Sequence, residues 1–145
     1  MSKTNAWENG LLLLVFNNTN FASVGDATGL RGSSTAGSLY LSLHTSDPGE
    51  AGSQTTNECA YTSYARVAVA RSGAGFTVSG NSVTLAAIAA FPACTGLTET
   101  ATHVGIGTDS SGAGVLLYKG AISPSIVCGN GITPALTTAS AITED

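Results

Sequence analysis

The chain has 145 residues, with five Lys and Arg against nine Asp and Glu, giving a net charge of −4. That length predicts one domain, able to bury about two thirds of its unfolded surface without a metal or a disulfide. The bases Lys3, Arg31, Arg66, Arg71 and Lys119 are scattered, so they cannot neutralise a run of phosphates, and neither nucleic acid nor an anionic membrane is expected as a partner.

Only 10% of the residues are charged, against ~25% in an ordinary domain. Gly, Ser, Thr and Ala fill the gap. This mixture suits extended β-structure partly covered by neighbours more than a free-standing enzyme. The cysteines Cys59, Cys94 and Cys128 are odd in number and far apart. They predict small buried thiols rather than a disulfide framework or a zinc site. The apolar run 10–16 is too short to span a bilayer, and it lacks a small-residue cleavage site.

The first predicted element is a helix over residues 5–17. Thr4 or Asn5 is the N-cap, Glu8 completes a capping box, and Asn17–Asn20 ends it. Trp7, Leu11, Leu14 and Val15 recur at helical spacing. This apolar face packs either on the chain's own core or on another subunit, with Trp7 and Leu11 as anchors. Gly10 weakens the helix by about 1 kcal/mol relative to Ala. Residues 22–38 read as an irregular connector.

A strand follows over 38–45, with Leu39, Leu41 and Leu43 on one face and Tyr40, Ser42 and His44 on the other. Residues 46–62 are polar and carry the turn Asp47-Pro48-Gly49. A loop so long is uncommon in a compact domain unless it has a task, and contact with another protein is the expected one. Strands are then predicted at 64–70, at 76–79 and 83–87 as a hairpin across Gly80-Asn81, and in a short segment closed by Phe91-Pro92. Further strands are predicted at 103–108 and 115–119 around the turn 109–114, at 122–128 and 132–136 around Gly129-Asn130-Gly131, and at 139–143. Many short strands at regular spacing, with no second helix, predict an all-β fold. The expected architecture is a jelly-roll-like β-sandwich with a short N-terminal helix: residues 1–37 form a helix and irregular arm, 38–145 the sandwich, in a single domain.

No chemical motif rises above these elements. His44, Asp47, Glu50 and Glu58 match no metal-ligand spacing. No serine sits on a nucleophile elbow, and His103 reads as a structural hydrogen-bonder. Gly105-x-Gly107 and Gly112-x-Gly114 lack the helix N-terminus and the Lys of a phosphate loop. Cys59 lies beside Glu58, whose carboxylate disfavours a thiolate. No catalytic residue, cofactor or metal is expected, and the chain is not expected to be an enzyme. A cupin-like hydrolase would need a His cluster that two distant histidines do not supply.

Several motifs occur in order: Thr4-Asn-Ala-x-Glu-Asn9, Leu39-Tyr-Leu-Ser-Leu-His-Thr-x-Asp-Pro-Gly-Glu-Ala-Gly52, Gln54-Thr-Thr-Asn-Glu58, Tyr61-Thr-x-Tyr-Ala-Arg-Val-Ala-Val-Ala-Arg71, Phe91-Pro-Ala-Cys94, Thr102-His-x-Gly-Ile-Gly107 and Ile142-Thr-Glu-Asp145. Together they resemble the capsid decoration or cement proteins of tailed phages, the family that includes the cement protein of a Bordetella podophage. Relatives often carry the name tail-fibre protein. The resemblance implies a jelly-roll module on the outside of a virion capsid, bridging capsomers of the major capsid protein as a homodimer or homotrimer. The contact residues expected are Trp7, Leu11, Asp47, Glu50, Glu58, Tyr61, Tyr64, Arg66 and Arg71. Arg66 and Arg71 would face capsid carboxylates, or else stand as solvated charges on a strand edge. The alternative is a tail-fibre or receptor-binding virion module, against which the lack of heptads and repeats counts.

Overall fold

A computed structural model describes residues 2–144. Asp145, the end of the expected sandwich and of the last motif, lies outside the described residues. The chain forms two compact units: one holds the residues up to Ser38, Val69–Ile88 and those from Thr137 on, and the other holds Leu39–Ala68 and Ala89–Leu136. The fold is all-β and antiparallel, opened by one short helix.

In the first unit, α1 spans Asn5–Asn17, as its caps predict. Thr4 Oγ1 accepts from Trp7 N at 3.4 Å. Asn18 closes the helix in the left-handed region and donates its N–H to Leu13 O, a C-cap that Asn tolerates well. The buried face is different from the expected one. Glu8, Leu12 and Phe16 are buried, while Leu11, Leu14 and Val15 are only half-buried. Residues 11–16 are apolar all round, so spacing alone could not choose the face. Phe16 meets Phe76 edge-on at 4.9 Å. Gly10 has a positive reason to be glycine: a Cβ there would lie 2.5 Å from the Phe21 ring. Phe21 also touches Trp7, at 5.3 Å between ring centroids.

The helix end is held from a distance. Arg71 Nε donates to Val15 O at 2.7 Å, Nη2 to Leu14 O at 2.9 Å and Nη1 to Ala36 O at 3.1 Å. A guanidinium on the last carbonyls of a helix satisfies acceptors that lack intrahelical partners and opposes the negative end of the dipole. Arg71 is thus half-buried and engaged by the chain's own carbonyls, not a solvated charge on the strand edge. The unit also contains β3 (Phe76–Ser79), β4 (Ser82–Leu85) and β9 (Ala141–Thr143), in the order β3–β4–β9. The predicted hairpin forms across Gly80 (φ +60°) and Asn81. Its second strand stops at Leu85, two residues early.

A four-stranded sheet runs in the order β2 (Val67–Ala70), β1 (Ser38–His44), β6 (Glu99–Gly107) and β7 (Leu116–Cys128), with β6, β7, most of β1 and the first half of β2 in the second unit. A small ladder joins β5 (Ala89–Ala90) to β8 (Ala135–Leu136). β7 replaces the two predicted strands at 115–119 and 122–128. The two merge because pairing with β6 resumes across a bulge: Ala101 pairs with Ile126 and His103 with Ala121, and Pro124, which has no N–H to give a ladder, falls in the unpaired stretch between them. β2 starts at Val67 rather than Tyr64, and the strand expected at 132–136 shrinks to β8. Leu39, Leu41 and Leu43 are buried as expected, with Ile106 on β6. Ser42 and His44, on the face expected to be polar, are buried as well.

Replacing Arg71 by Met should lower stability by about 1–2 kcal/mol, the usual worth of a cation at a helix C-terminus with its hydrogen bonds. Arg71→Lys should recover only part, because an ammonium cannot fork to several carbonyls. Urea denaturation of the three proteins measures both effects.

Candidate functional site

The long loop after β1 lies over the polar face of the sheet, which is why both faces of β1 are buried. Backbone bonds run from Thr45 N to Asn57 O and from Cys59 N to Leu43 O, both 2.8 Å. His44 lies between strand and loop. Its Nδ1 is 2.8 Å from Thr56 O, so this nitrogen carries the proton. Its Nε2 then accepts from the Ser42 hydroxyl, also at 2.8 Å. The spacing resembles a nucleophile and its base, but both side chains are fully buried, and the pair serves to satisfy polar atoms beneath the loop. A Cβ at Gly105 would lie 2.7 Å from both His44 Nε2 and Ser42 Oγ. Burial disfavours the charged imidazole and lowers the His44 pKa below its ordinary 6.5, and the bond to Thr56 opposes this only in part.

Gln54 anchors the middle of the loop. It is fully buried. Its N–H donates to Ala113 O at 2.8 Å, its Oε1 accepts from Asp109 N at 2.9 Å, and its Nε2 donates to Asp109 O at 3.3 Å. The amide side chain thus mimics a strand partner for the turn 109–114. Gly107 and Gly114 make room for it: a Cβ on either would fall 2.1 Å from a Gln54 atom. These glycines, faintly suggestive of a phosphate loop in sequence, form the seat of a glutamine.

Arg66 fixes the end of the loop. Its Nε and Nη2 grip the Glu58 carboxylate at 2.7 and 2.8 Å. Its Nη1 donates to Asp109 O at 2.9 Å and its Nη2 to Gly112 O at 2.7 Å. The arginine side chain is 2% exposed and that of Glu58 14%. Tyr64 completes the chain by donating to Glu58 Oε1 and accepting from Leu43 N, both at 3.0 Å. Tyr61 lies beneath, 1% exposed, and donates to Pro92 O. Burial pushes both phenols well above their ordinary value.

The expected contact residues therefore divide. Tyr61 is buried, Glu58, Tyr64 and Arg66 are half-buried in the loop network, and Arg71 caps α1. Arg66 is neither an outward-facing charge nor a solvated one. Trp7, Asp47 and Glu50 are exposed and Leu11 is half-buried. Asp47 and Glu50 meet Lys119 at 3.1 and 3.0 Å. Glu50 and Lys119 border a cleft of about 260 Å³ that is also lined by Gly49, Gly52 and residues 116–118 of β7. Ion pairs so exposed add little stability. Among the described residues no group of three or more His, Cys, Asp or Glu is placed to hold a metal, so His44, Asp47, Glu50 and Glu58 do not converge. The cysteines are buried and unpaired. The Cys59 thiol is pushed up to about 12, chiefly by burial and only last by Glu58. Sequence reasoning missed Ser42 and Gln54; the signal it left unread was the pairing of a long polar loop with glycines in the strand and turn opposite.

Arg66→Ala strands a largely buried carboxylate and should destabilise the protein by about 3 kcal/mol, with Arg66→Lys intermediate, read from denaturant midpoints. His44 gives a pH signature. Its folded pKa lies below the unfolded value near 6.5, so the unfolded state binds protons first. Its stabilising share is complete above that value and falls as the pH drops through it towards the folded pKa. Subtracting the stability–pH curve of His44→Gln from that of the wild type should isolate this slope; parallel curves would contradict it.

Residues 2–142 match a protein family described as Podophage GP4 fiber I protein gp80. No curated protein matches the chain. The family match takes in both units, α1 and every member of the loop network. By that match the chain belongs to the podophage GP4 fiber I protein gp80 family and is a bacteriophage virion structural protein.

Proposed function

We propose that this chain is a non-enzymatic, fibre-type module of a podophage particle, which binds other virion proteins through a rigid β-scaffold. The observation that carries this reading is the family match over residues 2–142, to a protein described as a fibre component. The network is consistent with it. Ser42, His44, Gln54, Glu58 and Arg66, the residues most suggestive of chemistry, are consumed in fixing one loop. What they create is a loop of fixed shape that holds Asp47 and Glu50 outward, a property that suits protein recognition, since pre-ordered loops lose less entropy on binding.

The capsid-cement reading keeps a separate support. The longest helix among the described residues spans only Asn5–Asn17, and the sequence has neither heptads nor repeats, so nothing in the chain builds a shaft. In that reading the module would bind the major capsid protein on the outside of the head and bridge capsomers.

Copy number separates the two. Quantitative mass spectrometry of purified virions, with immunogold labelling, should find this protein far below the major capsid protein in abundance and label the tail. Abundance in step with the major capsid protein, with saturable binding to undecorated heads, would replace the fibre reading by the cement one.

A further inference from the structure

β7 stands last in its sheet. On one side it is bonded to β6, with residues 118–121 in unbroken register against 103–106. Among the described residues no strand lies on its other side. Such an edge is a row of donors and acceptors at strand spacing, a pattern that another extended backbone matches. Proteins commonly guard it with a lysine held out into solvent. Lys119 stands in that position, but its ammonium is turned onto Asp47 and Glu50, at 3.1 and 3.0 Å. The later part of β7 is guarded differently, since residues 122–125 leave the ladder around Pro124. The stretch 116–121 is therefore the part of the edge able to take a further strand.

The cleft of about 260 Å³ lies against this stretch, lined by residues 116–119 on one wall and by Gly49, Glu50 and Gly52 on the other. Side chains of a strand alternate between its faces. A cleft over one face therefore meets alternate residues, whereas this one meets four in succession, as a cleft along the edge does. Its rim is acidic. Asp47 and Glu50 share the single ammonium of Lys119, and the Glu50 side chain is 95% exposed.

We propose that this cleft receives one extended segment of a different virion protein, laid along residues 116–121 as an added strand and carrying a Lys or Arg opposite Glu50. The proposal rests on the reading of this chain as a module that binds other virion proteins. The bare edge selects a polypeptide in extended form, because backbone hydrogen bonds supply the affinity in strand addition. The second wall admits only a lone strand. A strand already within a sheet has a neighbour about 4.8 Å away on its far side, where the loop residues stand. β7 of a second copy, bonded to its own β6, does not fit, whereas a terminal arm or an extended loop does. The surplus carboxylate at the rim then favours a basic segment over an acidic one.

The full chain is tested against short overlapping peptides that tile the other structural proteins of the particle and this chain itself. Wild type should retain a few peptides, each bearing Lys or Arg, and raised salt should weaken them. N-methylation of alternate amides in a retained peptide should abolish binding in one phase and spare it in the other, because only one edge of the added strand faces β7. Glu50→Lys, at a side chain almost wholly in solvent, keeps the fold and should weaken these peptides about tenfold. Ile88→Ser, at an exposed residue away from the cleft, should leave binding unchanged. The absence of any retained peptide overturns the proposal, as does binding indifferent to Glu50→Lys and to N-methylation in both phases. Retention of this chain's own β7 peptide alone also overturns it and gives the cleft to a second copy. Pelleting with particles that lack this protein tests the underlying reading separately. Wild type that binds particles but no peptide removes the cleft and leaves that reading standing, while wild type that binds neither removes both.

Discussion

A sheet covered on its polar face by a loop must satisfy every polar atom it hides, and the second unit depends on meeting that requirement. Leaving one buried donor or acceptor unpaired costs roughly 1–3 kcal/mol. Ser42 and His44 meet the demand by bonding to one another and to Thr56 O. Gln54 meets it by serving three backbone groups of the turn opposite. Among the described residues no buried side-chain nitrogen or oxygen lacks a partner. The loop is long because it is a covering layer, and it is polar because the surface under it is polar.

The Glu58–Arg66 pair follows from the same requirement. A buried ion pair gains little net energy over an apolar pair, since desolvation offsets attraction. Its value here is geometric. A planar guanidinium with five donors reaches a carboxylate and two carbonyls at once, and so joins the end of the loop to the turn 109–114 in one orientation. Glycine provides the complementary half of this design. Gly105, Gly107 and Gly114 are needed for the space that His44, Ser42 and Gln54 occupy. The first unit solves a smaller problem in a similar way, with Arg71 satisfying the carbonyls at the end of α1.

This arrangement changes what the polar motifs signify. In sequence, a Ser and a His two apart on a strand, paired acids in a loop and Gly-x-Gly repeats invite chemical readings. In the fold, most of these groups already have partners within the chain. Of the expected contact residues, those that remain exposed are Trp7, Asp47 and Glu50, and in the proposed function they are the ones available to a partner. That division suits a virion structural protein, in which a scaffold holds its shape while surface patches make contacts.

The elements themselves were legible because their causes are local. Thr4 and Asn18 bound α1 through bonds within one turn of it, Gly80-Asn81 sets the hairpin, and alternation in Leu39–Leu43 marks the buried face of β1. Where local signals were degenerate, reading failed. The apolar run 11–16 could not choose a helix face, and nothing local in residues 115–128 could reveal that β7 resumes its pairing with β6 across a bulge. The sequence by itself thus determined the all-β class, the helix and most strand positions, since φ preference, capping and period-two burial act over a few residues. The tertiary structure alone decided the partners of Arg71, whose acceptor at Leu14 lies 57 positions away, and of Gln54, which reaches Asp109 55 positions on. Such pairings arise only when the sheet brings distant segments together, and no periodicity in the chain encodes them.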